Sequence, residues 1–130
     1  NKPGPLSEEE WSTMRDHSAA GERILSQIPS LRRCAIVVRH HHERFDGKGY
    51  PDGLTGNAIP IESRIIAGAD SFHARATDRP YRNAISPREA MRILEEGKGS
   101  QWDPKAVEAF FSLFEHRVPA ARPRMLQAAL

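Results

Sequence analysis

At 130 residues with a single cysteine, Cys34, the chain has the length of one domain that buries a core without disulfide staples, and an intramolecular disulfide is excluded. Nineteen basic against seventeen acidic side chains leave a net charge of +2 with both signs mixed along the chain, which argues against a general electrostatic binder of nucleic acid. The longest apolar run, Cys34 to Val38, falls far short of the roughly 20 residues that span a bilayer, so no membrane partner is expected, and a lone thiol suits the cytoplasm.

After the turn-like NKPGP, Ser7 and Glu10 stand at capping-box spacing, and Trp11, Met14, Gly21, Ile24, Leu25 and Ile28 recur at helical period. This predicts a first helix from about Leu6 to Gln27. Pro29 and Ser30 punctuate it, and Leu31, Cys34, Ala35, Val38 and the histidines up to His42 continue the period, predicting a second helix that ends near Arg44. From Phe45 to Pro60, four glycines and two prolines in sixteen residues form an aperiodic, turn-rich loop, too long for a passive connection. Ile61, Ile65, Ile66, Ala69, Phe72, His73 and Ala76 predict a third helix with Asp70 in its middle. Ser86, Pro87 and Glu89 start a fourth with Ala90, Ile93 and Leu94 as its buried stripe and Gly97 as its stop. Asp103 and Pro104 open a fifth, whose apolar face is Val107, Phe110, Phe111 and Phe114. No stretch alternates with period two, so the fold class is all-α. His116, Arg117, Arg122 and Arg124 make a mildly basic end that reads as a solvated extension.

Chemistry concentrates on four side chains. His41 and His42 close the predicted second helix, about 100° apart around its axis, so both can border one cavity without facing each other. His17 keeps step with Met14 and Gly21 on the expected inward face of the first helix, and Asp70 is surrounded in sequence by Ile66, Ala67, Ala69 and Phe72. A carboxylate buried there would need a partner, and a cation shared by His17, His41, His42 and Asp70 would supply it. Mixed nitrogen and oxygen donors without thiolate suit iron, manganese, nickel or zinc. A structural polar core is the competing reading.

HHERFDGKGYP (His41 to Pro51), RIIAGAD (Arg64 to Asp70) and DRPYR (Asp78 to Arg82) together resemble the HD-GYP family of metal-dependent phosphohydrolases, which act on cyclic di-GMP. The resemblance begins with NKPGPLSEEEW and MRDHSAAG and reaches WDPKAVEAFF near residue 111, which suggests a domain over residues 1–116 and a basic tail over 117–130. It implies an HD-superfamily helical domain, with His17, His41, His42 and Asp70 as metal ligands and His41, His42 and Asp70 as the catalytic set. It further implies two or three divalent ions in a complete site, iron or manganese first, activating water for in-line attack on a phosphodiester to give pGpG or GMP. By the same resemblance Tyr50, in the Gly-Tyr-Pro signature, faces the nucleotide, and Arg79 and Arg82 hold its phosphates, a task suited to a planar, permanently charged guanidinium.

The chain also departs from the family pattern. None of its six histidines is followed by aspartate, whereas the family's His-Asp pair lies on a helix upstream of the matched region and supplies two ligands. The chain is therefore expected to be the C-terminal part of such a domain, truncated at the N-terminus, with weak metal binding, little or no hydrolysis of its own and apolar surface that favours a homodimer. His73 stands where the family often has an acidic residue, and Arg75 replaces a usually apolar one. Two alternatives follow from the resemblance: a non-catalytic signalling module whose loop from Gly47 to Gly56 binds a partner such as a diguanylate cyclase domain, and an HD-type hydrolase of another nucleotide.

Overall fold

The computed structural model describes residues 7–78 and 83–117, and the secondary structure there is helical, with two isolated β-bridges and no strand among the described residues. The α-helices are α1 (Glu8–Ser26), α2 (Arg32–His40), α3 (Ile61–Ala76), α4 (Pro87–Glu96) and α5 (Pro104–Arg117), with 3-10 turns at Pro29–Leu31 and Gly56–Ala58. The N-terminus of α1 is closed by the predicted capping box: the Glu10 amide donates to Ser7 Oγ at 3.2 Å and the Ser7 amide to Glu10 Oε2 at 2.7 Å. At the start of α4 the Ser86 Oγ accepts the Glu89 amide at 3.2 Å, with proline at the first helical position.

The largest core lies between α3, α4 and α5. Met91, Leu94, Trp102 and Val107 are buried together, with Ala67, Phe72, Ile93, Phe110 and Phe114 packed against them. Phe111, expected on the same face as Phe110, lies outside this core and is 37% exposed. A buried ion pair ties two helix starts together: Arg64 on α3 donates to Asp103, just ahead of α5, at 2.5 Å.

The helices α1 and α2 meet through small side chains. A Cβ on Gly21 would lie 2.8 Å from Val38 Cγ1, so the two backbones approach more closely than any larger residue permits. Ser18 and Ala35 are the buried residues of this pair. The predicted apolar stripe of α1 is consequently not its buried face. Trp11, Met14 and Ile28 are more than two-fifths exposed and Ile24 is 66% exposed, because the seam runs along Ser18 and Gly21, and the described residues place nothing over the flanking isoleucines. On α2 and α3, Ile36, Ile61, Ile65 and Ile66 are exposed as well.

Candidate metal centre

The helix α2 stops at His40, four residues earlier than the spacing suggested, and His41 is its C-cap. His41 and His42 therefore sit in the turn that follows, where their rings lie 3.9 Å apart, centroid to centroid, against the expectation that they would not face each other. A helical register no longer separates them. His17 reaches them from α1, and one ring nitrogen of each of the three histidines lies within 4.8 Å of the others.

Their tautomers are set by backbone carbonyls. His17 Nδ1 bonds to the Met14 carbonyl, and His41 Nδ1 to that of Val38 at 2.6 Å. A carbonyl can only accept, so Nδ1 carries a proton in both rings, and Nε2 is the nitrogen left to face an ion. Metal-binding histidines have this arrangement, in which the second nitrogen is held by a carbonyl or carboxylate. His17 Nε2 is 3.1 Å from His42 Nε2, a separation suited to two nitrogen ligands each about 2.1 Å from one ion. Burial, reinforced by the neighbouring His41 and His17, lowers the His42 pKa to about 4, which keeps its ring neutral and available as a ligand at pH 7. The donor set thus fits a divalent cation.

Two expectations about these ligands need correction. His17 is exposed at the edge of the α1–α2 pair, since the inward position belongs to Ser18. Asp70 is also exposed, so the cost of burying a lone carboxylate does not arise. It lies on a stripe of α3 that lines an open cavity of about 240 Å³ together with His41, His42, Arg44, Arg75 and Trp102. Its carboxylate is close enough to act on the charge of His42, yet it lies outside the tight group formed by the three histidines.

The loop that follows is fixed by polar contacts. Glu43, 4% exposed, accepts the Asp52 amide at 2.7 Å on one oxygen and the Leu54 amide at 3.1 Å on the other. Asp52 takes a two-pronged contact from Arg39, both prongs at 2.7 Å, and a third from His40 Nε2 at 2.9 Å, while Arg39 also reaches Glu22 on α1 at 2.6 Å. Within this frame a Cβ on Gly49 would lie 2.3 Å from the Arg44 amide nitrogen, so only glycine allows the loop to pass. Tyr50 is delivered onto His42, rings stacked with centroids 4.9 Å apart, and burial raises its phenol pKa. His40, Glu43 and Asp52 also cluster, but their oxygens are taken up by backbone amides and Arg39, which makes them a clamp rather than a second ion site.

Spacing alone did not single out Glu43, Arg39 or Asp52. The available signal was a carboxylate and a guanidinium bracketing the histidine run just ahead of a glycine-rich loop. Arg79, Arg82 and residues 118–130, including Arg122 and Arg124 of the tail, lie outside the described residues.

With this geometry in place, likeness to known proteins becomes informative. An HD domain family model matches residues 1–106. The chain is 44% identical over 110 residues to the cyclic di-GMP phosphodiesterase response regulator RpfG of Xanthomonas campestris, covering 83% of this chain and 29% of that protein. It is 46% identical over 114 residues to a cyclic di-GMP phosphodiesterase of Thermotoga maritima, covering 86% and 31%. A 3'3'-cGAMP-specific phosphodiesterase 3 of Vibrio cholerae is 39% identical over 109 residues, covering 84% and 24%. The chain thus spans less than a third of the length of these curated relatives. A crystal structure of a cyclic GMP-AMP specific phosphodiesterase of V. cholerae, V-cGAP3, shares the fold with a TM-score of 0.71 at 23% identity, over 85% of this chain and 25% of that one. The all-α architecture and the sequence resemblance therefore agree, and the chain belongs to the HD domain family, in its HD-GYP branch.

Proposed function

We propose that this chain carries the histidine and Gly-Tyr-Pro part of a metal-dependent phosphodiesterase that cleaves cyclic di-GMP to pGpG or GMP in bacterial second-messenger signalling. The observation behind this reading is the convergence of His17, His41 and His42, two of them with Nδ1 tied to a carbonyl, beside a cavity that Asp70 also lines. His17, His41, His42 and Asp70 would hold the ion; their nitrogen and oxygen donors suit iron, manganese, nickel or zinc, and the family resemblance puts iron or manganese first, with two or three ions in a complete site. Such an ion supplies Lewis-acid charge at the phosphodiester. The catalytic set is His41, His42 and Asp70. Tyr50, stacked on His42, offers a flat surface to the nucleotide, and Arg79 and Arg82 take its phosphates.

The relatives named as 3'3'-cGAMP-specific make a second cyclic dinucleotide the main alternative substrate. The exposed isoleucines Ile24, Ile28, Ile61 and Ile65 favour association with a second copy of the chain, and the loop from Gly47 to Gly56 is the surface for a partner such as a diguanylate cyclase domain. No helix among the described residues is long and apolar enough to cross a membrane, and we place the activity in the cytoplasm.

The test is elemental analysis and product chromatography on residues 1–130 and on a longer form that carries a His-Asp pair. Expected are weak metal retention and little turnover for the short chain, and turnover by the longer form that His42→Ala abolishes. Metal absent from both, or hydrolysis untouched by His42→Ala, overturns the reading.

A further inference from the structure

Arg44, two residues beyond His42, lines the cavity beside the histidines. The segment that carries it is pinned to the turn ahead of α5. The Phe45 amide donates to the Gln101 carbonyl at 3.2 Å and the Asp46 amide to that of Ser100 at 2.8 Å, while the Arg44 carbonyl accepts the Gly47 amide at 2.9 Å. Arg44 therefore has little backbone freedom, and its side chain, 34% exposed, is reachable by a ligand.

One carboxylate orients the guanidinium. Arg44 Nε donates to Asp46 Oδ1 at 3.0 Å and Nη2 to Oδ2 at 2.7 Å, the side-on form of a two-pronged pair. Asp46 is fixed in turn, because its Oδ1 also accepts the Lys48 amide at 3.1 Å. A guanidinium has five N–H groups, and this pair uses two of them. The end-on edge remains, made of Nη1 and the second hydrogen of Nη2, and no contact among the described residues engages Nη1. Asp46 does not line the cavity, so the edge it holds is not the edge offered there.

The charge balance selects the kind of ligand. Arg44 and Asp46 cancel, so the pair lacks the net charge that draws in a phosphate, yet two parallel N–H donors are left over. A neutral group with two acceptors side by side matches them. Guanine presents O6 and N7 in that way along its Hoogsteen edge, whereas adenine pairs N7 with an amino group that would meet an N–H donor head on.

We propose that Arg44 reads the Hoogsteen edge of a guanine in this cavity and so determines which bases a cyclic dinucleotide substrate can carry. The assignment rests on the phosphodiesterase reading for the identity of the whole ligand. One base position then requires guanine. Cyclic di-GMP and a mixed guanine–adenine dinucleotide both satisfy it, and a dinucleotide of two adenines does not. Arg44 is a specificity-determining residue in this assignment, with Asp46 as the group that positions it.

Trp102, which lines the same cavity, provides the readout. In residues 1–130 with Trp11→Phe, Trp102 is the one indole left, and its N–H resonance is followed while GMP, AMP and 7-deaza-GMP are titrated with chelator present. The expected result is a saturable shift with GMP and binding about tenfold weaker for AMP and for 7-deaza-GMP, which lacks only N7. Arg44→Lys keeps a cation beside Asp46 but has no fork, and is expected to bind GMP and AMP alike at unchanged helix content by circular dichroism. Equal affinity for GMP and 7-deaza-GMP, a guanine preference that survives Arg44→Lys, or no saturable shift overturns the assignment, and the first of these needs no further variant to fold. Its failure is separable from failure of the phosphodiesterase reading. A longer form that hydrolyses cyclic di-GMP and cyclic di-AMP with equal kcat/KM removes the guanine reader alone, and an Arg44-dependent guanine preference without hydrolysis of any cyclic dinucleotide removes the reaction alone.

Discussion

Around α4 and α5 most of the buried side chains are large and apolar, Met91, Leu94, Trp102 and Val107, with Ala90 and Asp103 beside them, whereas around α1, α2 and the histidine loop, Ile59 apart, they are small or polar, Ser18, Ala35, Glu43 and Ser63. In the first region, hydrophobic burial supplies most of the cohesion, and the Arg64–Asp103 pair pins its edge. In the second, Gly21 lets two backbones touch, Ser63 Oγ donates to the Val37 carbonyl at 2.9 Å, and Glu43 and Arg39 hold the loop. Polar contacts define geometry more sharply than apolar packing does, and a site that must converge three imidazoles needs that sharpness. The same region leaves isoleucines uncovered, so its precision comes with less burial.

Substitutions at the two kinds of contact can break this contrast. Leu94→Ala removes a side chain 1% exposed from the apolar region and is expected to cost about 2–5 kcal/mol in urea unfolding, the largest effect of the set. Glu43→Ala strips two amides of their acceptor and is expected to cost about 2 kcal/mol, while hydrogen exchange accelerates at Asp52 and Leu54 and stays unchanged at Leu94. Loss of protection spreading to Leu94 would show that the two regions unfold as one.

Acid sharpens the comparison. The Arg39 guanidinium, followed by His40, holds the Asp52 carboxyl at about 2, below its ordinary 3.8. A carboxylate whose folded pKa is depressed contributes stability above its unfolded pKa and loses it as pH falls toward the folded one. Stability of the loop should therefore decline between about pH 4 and pH 2, and Arg39→Met should flatten that decline in melts taken across the same window. The smallest effect is expected at Ile24, 66% exposed. Ile24→Ser should shift stability by less than about 0.5 kcal/mol while lowering the apparent mass in sedimentation if that face associates.

Local chemistry made much of the fold legible. Ser7 with Glu10, Ser86 with Pro87, and Gly97 each announce a helix end through atoms a few residues apart, and α3 runs over the residues its period marks. Spacing overextends α2 because histidines at helical spacing satisfy the period whether or not the backbone continues to coil, and it is Glu43, bonded to Asp52 and Leu54, that anchors the segment beyond it. Faces were harder than boundaries. Whether Met14 or Ser18 lies inward on α1 depends on how closely α2 approaches, which Gly21 and Val38 decide across seventeen residues of sequence. The apolar sequence neighbours of Asp70 suggest burial, yet consecutive residues on a helix point in different directions, and its own direction is the open cavity.

Arg39 joins three segments at one guanidinium: Glu22 of α1, its own helix α2, and Asp52 of the loop. Glu22 and Asp52 are thereby held to one side chain, and Tyr50 stands only two residues from Asp52, against His42. One guanidinium therefore fixes the outer helix and the signature loop to the same point of α2, so the stacking of Tyr50 on His42 shares an anchor with the packing of α1.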